Sequence, residues 1–286
     1  MVKLNFGMRR ASLLCQMPTN RRLDLIAEGL PIILDSARGF WKASQQLAAQ
    51  PREADVLEGF AEEEAAKILI LMDIVRCPPK LVQGRIGVMV GHFYDHLARI
   101  IYAEAQRWKP MHVAQLREYV DSERQAHYLE GNMGEYILPN WSVARRESIL
   151  YADIEAYEDG VPHWNRPTGV AFPIPSPVPA ALRVAEALSA VGAFSRKGLD
   201  AAADAWGHLD FRDKEAHADA QRLTEQMLTR LVEEELPSEA ATQHDVGVLY
   251  NSWQMPMYHF EFRLIAVPLE DLQRERDAML WAEAGY

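Results

Sequence analysis

A chain of 286 residues with 49% hydrophobic side chains can bury one large core or two ordinary ones, which excludes a disordered chain. Its 30 Lys and Arg against 41 Asp and Glu leave a net charge of −11, which excludes a protein that coats nucleic acid over a broad basic surface. Two cysteines, Cys15 and Cys77, stand in no CxxC pair and indicate neither a disulfide framework nor a zinc ribbon, so a reducing compartment fits best.

Residues 1–20 read as a loose basic arm whose apolar run, 11–15, is too short for a secretory signal. No run of about 18 apolar residues occurs, so no membrane span and a soluble, cytoplasmic protein are expected. Over residues 21–49, Leu23, Ile26, Leu30, Ile33, Leu34, Ala37 and Trp41 recur at helical steps, with a boundary or kink expected at Pro31.

The clearest helix runs over 54–76 and stops at Cys77-Pro78-Pro79. Phe60, Ile68, Leu71 and Val75 define one face, and steps of about 100° per residue put Glu64 near its middle. Glu63 and Lys67 lie beside it in the favourable order for an ion pair, and Glu62 faces water. A buried Glu64 needs a cationic partner from a neighbouring helix, either as a structural ion pair or as a group that orients a catalytic base.

Residues 84–108 read as one helix, weakened by Gly84, Gly87 and Gly91 unless a neighbour packs closely there. Phe93, Leu97, Ile100, Ile101 and Glu104 share a side; His92, His96 and Arg99 lie on the adjacent polar stripe. Further helices are expected over 111–126, from Pro179 through Phe194, over 213–235 and over 269–284. Residues 131–141 read as a turn, and 160–179, with six prolines, as an irregular loop. Residues 246–250 and 258–267 are rich in aromatic and β-branched side chains and suggest a small hairpin. The expected fold is an all-α bundle: an arm at 1–20, a helical domain over 21–235, and a C-terminal appendage over 236–286.

Three readings compete for the His/Arg stripe. Two histidines four apart can bind a metal, but no HExxH pattern or further ligands accompany them. Both can be polar residues satisfied by neighbours. Or an imidazole moves protons on a phosphodiester while a guanidinium stabilises charge on phosphorus; Arg85 and His92, seven apart, would face one way, about 10.5 Å apart along the axis. Local charge gives the last weak support: residues 76–124 carry eight basic against five acidic side chains, so this window is +3 and the remainder −14, a pattern that a plain solvated face also produces. A second Arg-to-His spacing, Arg212 to His217, converges only if Arg212 precedes its helix. No GxSxG, P-loop, GxGxxG or di-iron ExxH pattern is present, and no metal or other cofactor is expected.

Several pieces resemble the AbiV-type abortive-infection proteins, a branch of the HEPN superfamily. They are Phe60-Ala61-Glu62-Glu63-Glu64-Ala65-Ala66-Lys67, then Phe93-Tyr94-Asp95-His96-Leu97-Ala98-Arg99, then Leu150-Tyr151-Ala152-Asp153 with Gly160, Trp164 and Pro167 behind. In that order Glu63, Glu64, Lys67, His96, Arg99, Tyr151 and Asp153 occupy the family's positions, with Arg99 where Lys is commoner. HEPN ribonucleases carry Arg, four to six residues, then His; Arg85 to His92 has six between and Arg212 to His217 has four. The resemblance covers about 21–231. It implies a HEPN-like bundle, a homodimer, and an antiphage protein that cuts or binds RNA without metal. His92 or His96 would be the acid or base, Arg85 and Arg99 would bind phosphate, and Glu64 would orient the site. The alternative is a non-catalytic dimeric module that senses or blocks a phage or host protein.

Overall fold

The structure, a computed structural model, describes residues 11–47, 49–132, 134–156, 160–169 and 177–283. Residues 1–10 of the arm, 170–176 of the Pro-rich loop and 284–286 of the last segment lie outside them. The described residues form an all-α bundle with two small antiparallel hairpins. Among them no helix is long and apolar enough to cross a membrane.

A 3-10 turn (Ala11–Gln16) leads into α1 (Thr19–Ser44), which continues through Pro31. Pro31 and Ile32 lie on the exposed side of the helix, so the ring projects away from the core. Helix α2 (Pro51–Arg76) starts on a proline that needs no amide donor and ends before Pro78. From Ala65 onward nearly every residue of α2 is buried, on all sides. That makes it the central rod, with α1 along its flank.

The expected single helix over 84–108 is two: α3 (Pro79–Tyr94) and α4 (His96–Ala105). Asp95 breaks the run with an extended backbone and caps α4, its carboxylate accepting from the Ala98 amide at 3.0 Å. No atom lies within 4 Å of a Cβ built on Gly84, Gly87 or Gly91, so close helix packing is not what those glycines serve.

Next come α5 (Val113–Glu123), the hairpin β1 (His127–Glu130) with β2 (Tyr136–Pro139), and α6 (Trp141–Leu150). Gly131 and Gly134, both with positive φ, lie between the strands of that hairpin, and the turn-like reading of 131–141 missed the strand that follows. A second hairpin pairs β3 (Asp153–Ala156) with β4 (Pro162–Asn165). Helices α7 (Ala180–Ala190), α8 (Arg196–Trp206) and α9 (His217–Glu233) return to the bundle. Helix α7 stops at Ala190, short of the expected Phe194, and Gly192 follows its cap with a φ of +83° that favours glycine; a Cβ there would also sit 2.3 Å from the Leu236 carbonyl.

The C-terminal hairpin is not formed. Residues 246–250 lie in α10 (Gln243–Ser252), opened by a Thr242/Asp245 capping box. The stretch after it is irregular and buried: Trp253, Met255, Met257, Tyr258, Phe260 and Phe262 belong to the same core as Ile68 and Leu182. A strand ladder is unnecessary because buried side chains serve its backbone. Asp73 accepts from the Met257 amide at 2.7 Å, Gln106 from the Gln254 amide at 3.1 Å, and Arg76 donates to the Gln254 carbonyl at 2.9 Å. Helix α11 (Leu269–Glu283) ends the described chain against the first hairpin.

Candidate functional site

Glu63 is the charged hub. It lies 5% exposed on α2, and two guanidinium groups and an imidazole from two other helices reach it. Arg99 of α4 stands 2.9 Å from Oε2, Arg146 of α6 donates to Oε1 at 3.0 Å, and His96 Nδ1 lies 2.8 Å from Oε2. The buried carboxylate therefore has the partners that burial demands. The sequence reading put Glu64 in this role, and that is corrected: Phe60, which anchored the inferred apolar face, is only half-buried, whereas Ala61 and Ala65 set the core side of that turn. Glu64 instead pairs with Lys67 at the half-buried edge, where Glu63 had been expected to do so.

The imidazole of His96 is 55% exposed. Its Nδ1 also lies 2.8 Å from Arg99 Nη2. One nitrogen cannot donate to the carboxylate and accept from the guanidinium at once. The first tautomer presents Nε2 to solvent as an acceptor, the second as a donor. Both keep Nδ1 inward.

On the Arg146 side, Glu63 lines a cavity of about 700 Å³ between α2, α4, α6 and the start of α7. Helix α6 is held across it at both ends. Asn140 caps its first turn and donates to the carbonyls of Glu123 and Gln125 at 2.7 and 2.8 Å. Arg52, in the first turn of α2, donates to the carbonyls of Ile149 and Leu150 at 2.9 and 3.2 Å. Four arginines line the cavity: Arg107, Arg145, Arg146 and Arg183. Glu62, expected in open water, lines it too and binds Arg107 at 2.5 Å. Burial holds the Glu62 carboxyl above its ordinary range. Burial, reinforced by Glu123 and Glu62, pushes Glu104 up to about 7.

The remaining predicted residues scatter. His92 is 6% exposed on α3, its ring 4.7 Å from that of Phe262, with no hydrogen-bond partner for Nδ1. Burial lowers it to about 4, so at neutral pH it is an uncharged core ring, not the acid or base the spacing suggested. Because its folded pKa lies below the unfolded one, the unfolded chain takes up a proton first as pH falls. Its stabilising contribution is complete above about 6.5 and is lost as pH drops toward 4. His92→Leu is expected to gain on the wild type steadily over that window in urea-unfolding midpoints; a constant difference between the two would refute it.

Arg85, half-buried on α3, acts electrostatically on Cys77, whose thiol burial pushes up to about 12. Tyr151 and Asp153 are exposed around the second hairpin. Arg212 does precede α9, but its exposed side chain pairs with Asp210 at 3.5 Å. His217 opens α9, its amide donating to the Met111 carbonyl at 2.9 Å. Among the described residues no group of three or more His, Cys, Asp or Glu side chains is arranged to hold a metal ion.

The structure thus joins Glu63, His96 and Arg99, and adds Arg146 and Glu104, which the sequence reading did not select. Glu104 carried a usable signal, a carboxylate sharing a face with Leu97, Ile100 and Ile101. Arg146 carried none beyond its charge. No family model, curated protein or solved structure matches the chain.

Proposed function

We propose that the protein is an abortive-infection protein of the HEPN type that cleaves RNA without a metal, using Glu63, His96 and Arg99 as its acid–base centre. The observation that carries this is the exposed His96 ring anchored through Nδ1 to a buried carboxylate, with Arg99 against both. A carboxylate behind an imidazole fixes the ring and stabilises its protonated form, the arrangement general-base catalysis uses.

In the acceptor tautomer Nε2 takes the proton of a ribose 2′-hydroxyl, and the 2′-oxygen forms a bond to the adjacent phosphorus. The P–O5′ bond breaks, the 5′-oxygen leaves with a proton from water or from a ring in the donor tautomer, and a 2′,3′-cyclic phosphate remains. The antiphage role rests on the resemblance of the 60–67, 93–99 and 150–153 segments.

Incubating the purified protein with total RNA in EDTA tests the reaction. Cleavage leaving cyclic phosphate ends is expected; intact RNA, or cleavage that EDTA abolishes, overturns it.

One observation favours a second reading, a non-catalytic dimeric module that engages a phage or host protein. The β3–β4 hairpin exposes Ile154 (56%), Val161 (60%) and Trp164 (71%), with Tyr151 (58%) just before it. Intact RNA together with a stable complex in pull-down would select that reading.

A further inference from the structure

The 700 Å³ cavity is of the size that holds small organic molecules, and its lining is of two kinds. Phe60, Ile100 and Val178 give it an apolar wall. Its charged lining is five acids, Asp55, Glu58, Glu62, Glu63 and Glu104, against four arginines, of which Arg107 is committed to Glu62 and Arg146 to Glu63. Arg145 and Arg183 are not. Both side chains line the cavity, both are exposed, and neither makes a hydrogen bond or salt bridge with a described residue.

We infer that this cavity binds an amphipathic organic anion, its carboxylate or phosphate head met by Arg145 and Arg183 and its apolar body laid against Phe60, Ile100 and Val178. Guanidinium groups recognise both head types through paired N–H donors.

Glu104 fits the same ligand. Near neutral pH a large share of this carboxyl is protonated, so it repels an anion little and can donate to it. The groups that act on it are Glu62 of α2, Tyr119 and Glu123 of α5, Arg145 of α6, and Arg107 just past its own helix. The acids among them would oppose an anion, and the arginines favour it.

The inference goes beyond the ribonuclease reading and does not rest on it, since binding is measured without RNA. Octanoate and octyl phosphate serve as probes in calorimetric titrations of the full chain, with octylammonium and octanol as controls. At least one anion is expected to bind, and which one identifies the head group. Arg145→Gln with Arg183→Gln is expected to weaken it tenfold or more, while the circular dichroism spectrum stays helical. Affinity should fall as pH rises through about 7, and the Glu104→Gln variant should lose that dependence. Failure of both anions to bind, equal binding of octylammonium, or unchanged affinity in the double arginine variant would each overturn the inference.

Discussion

Replacing Asp73 with alanine is expected to cost about 3–5 kcal/mol, a large share of the roughly 5–15 kcal/mol that stabilises an ordinary domain. Asp73 is 1% exposed, and both its oxygens are occupied. One pairs with Arg76; the other accepts from the Tyr102 hydroxyl at 3.0 Å and from the Met257 amide at 2.7 Å. Arg76 is itself 3% exposed and lies over the rings of both Trp206 and Trp253, 4.6 and 4.1 Å from their centroids. Without Asp73 its charge stays buried with only the Gln254 carbonyl and two ring faces to answer it. Urea-unfolding midpoints check this. Adding Arg76→Met to Asp73→Ala should recover part of the loss, because an apolar side chain needs no counter-ion. A midpoint that does not move with Asp73→Ala would show that the buried pair carries no stability.

His96→Ala is expected to lower RNA cleavage by about 10²–10⁴-fold, the usual contribution of a positioned acid or base. Its folding stability should hardly change, because the ring is more than half exposed. Glu63→Ala should differ in kind. It should lower cleavage as well, but also cost about 3–5 kcal/mol, because Arg99 stays 8% exposed with its counter-ion gone. Reading cleavage and unfolding on the same preparations separates a positioning role from a merely structural one. If His96→Ala cleaves RNA at the wild-type rate, the centre assigned to Glu63, His96 and Arg99 is wrong, whatever Glu63→Ala does to stability.

Where local chemistry decides structure, the chain could be read directly. The stop at Cys77-Pro78-Pro79 is steric, and α2 ends there. Of the face that spacing assigns to the 213–235 helix, Ala220, Leu223, Met227 and Leu231 are buried in α9, while Ala216 is only half-buried and precedes the helix as its N-cap. Asp95 shows the limit. It sits inside a run that reads as helix, yet its capping bond stabilises a break, so α3 and α4 part between His92 and His96. The two histidines of one apparent stripe thereby end in different surroundings, one packed on Phe262 and one at the surface against Glu63. The last buried segment was illegible for another reason. Its composition suits a strand, but its hydrogen-bond partners are the side chains of Asp73, Arg76 and Gln106, which no local pattern connects to it. At the candidate site a one-residue error in the apolar face, Glu64 for Glu63, followed from trusting Phe60 as a core residue. Arg146 reaches Glu63 across 83 residues of chain, a distance that periodicity cannot bridge.

The bonds from Asp73 to Met257 and from Arg76 to Gln254 span 184 and 178 residues. At a synthesis rate of about 5–20 residues per second, the central helix waits about 10–40 s on the ribosome before the residues that seal it are made. Throughout that interval Asp73 lacks the Met257 amide, Arg76 lacks the Gln254 carbonyl, and Trp206 lacks Trp253 to cover it. The N-terminal helices can pack on one another before that, but the part of the core around Asp73 and Arg76 closes only when the segment up to Phe262 arrives.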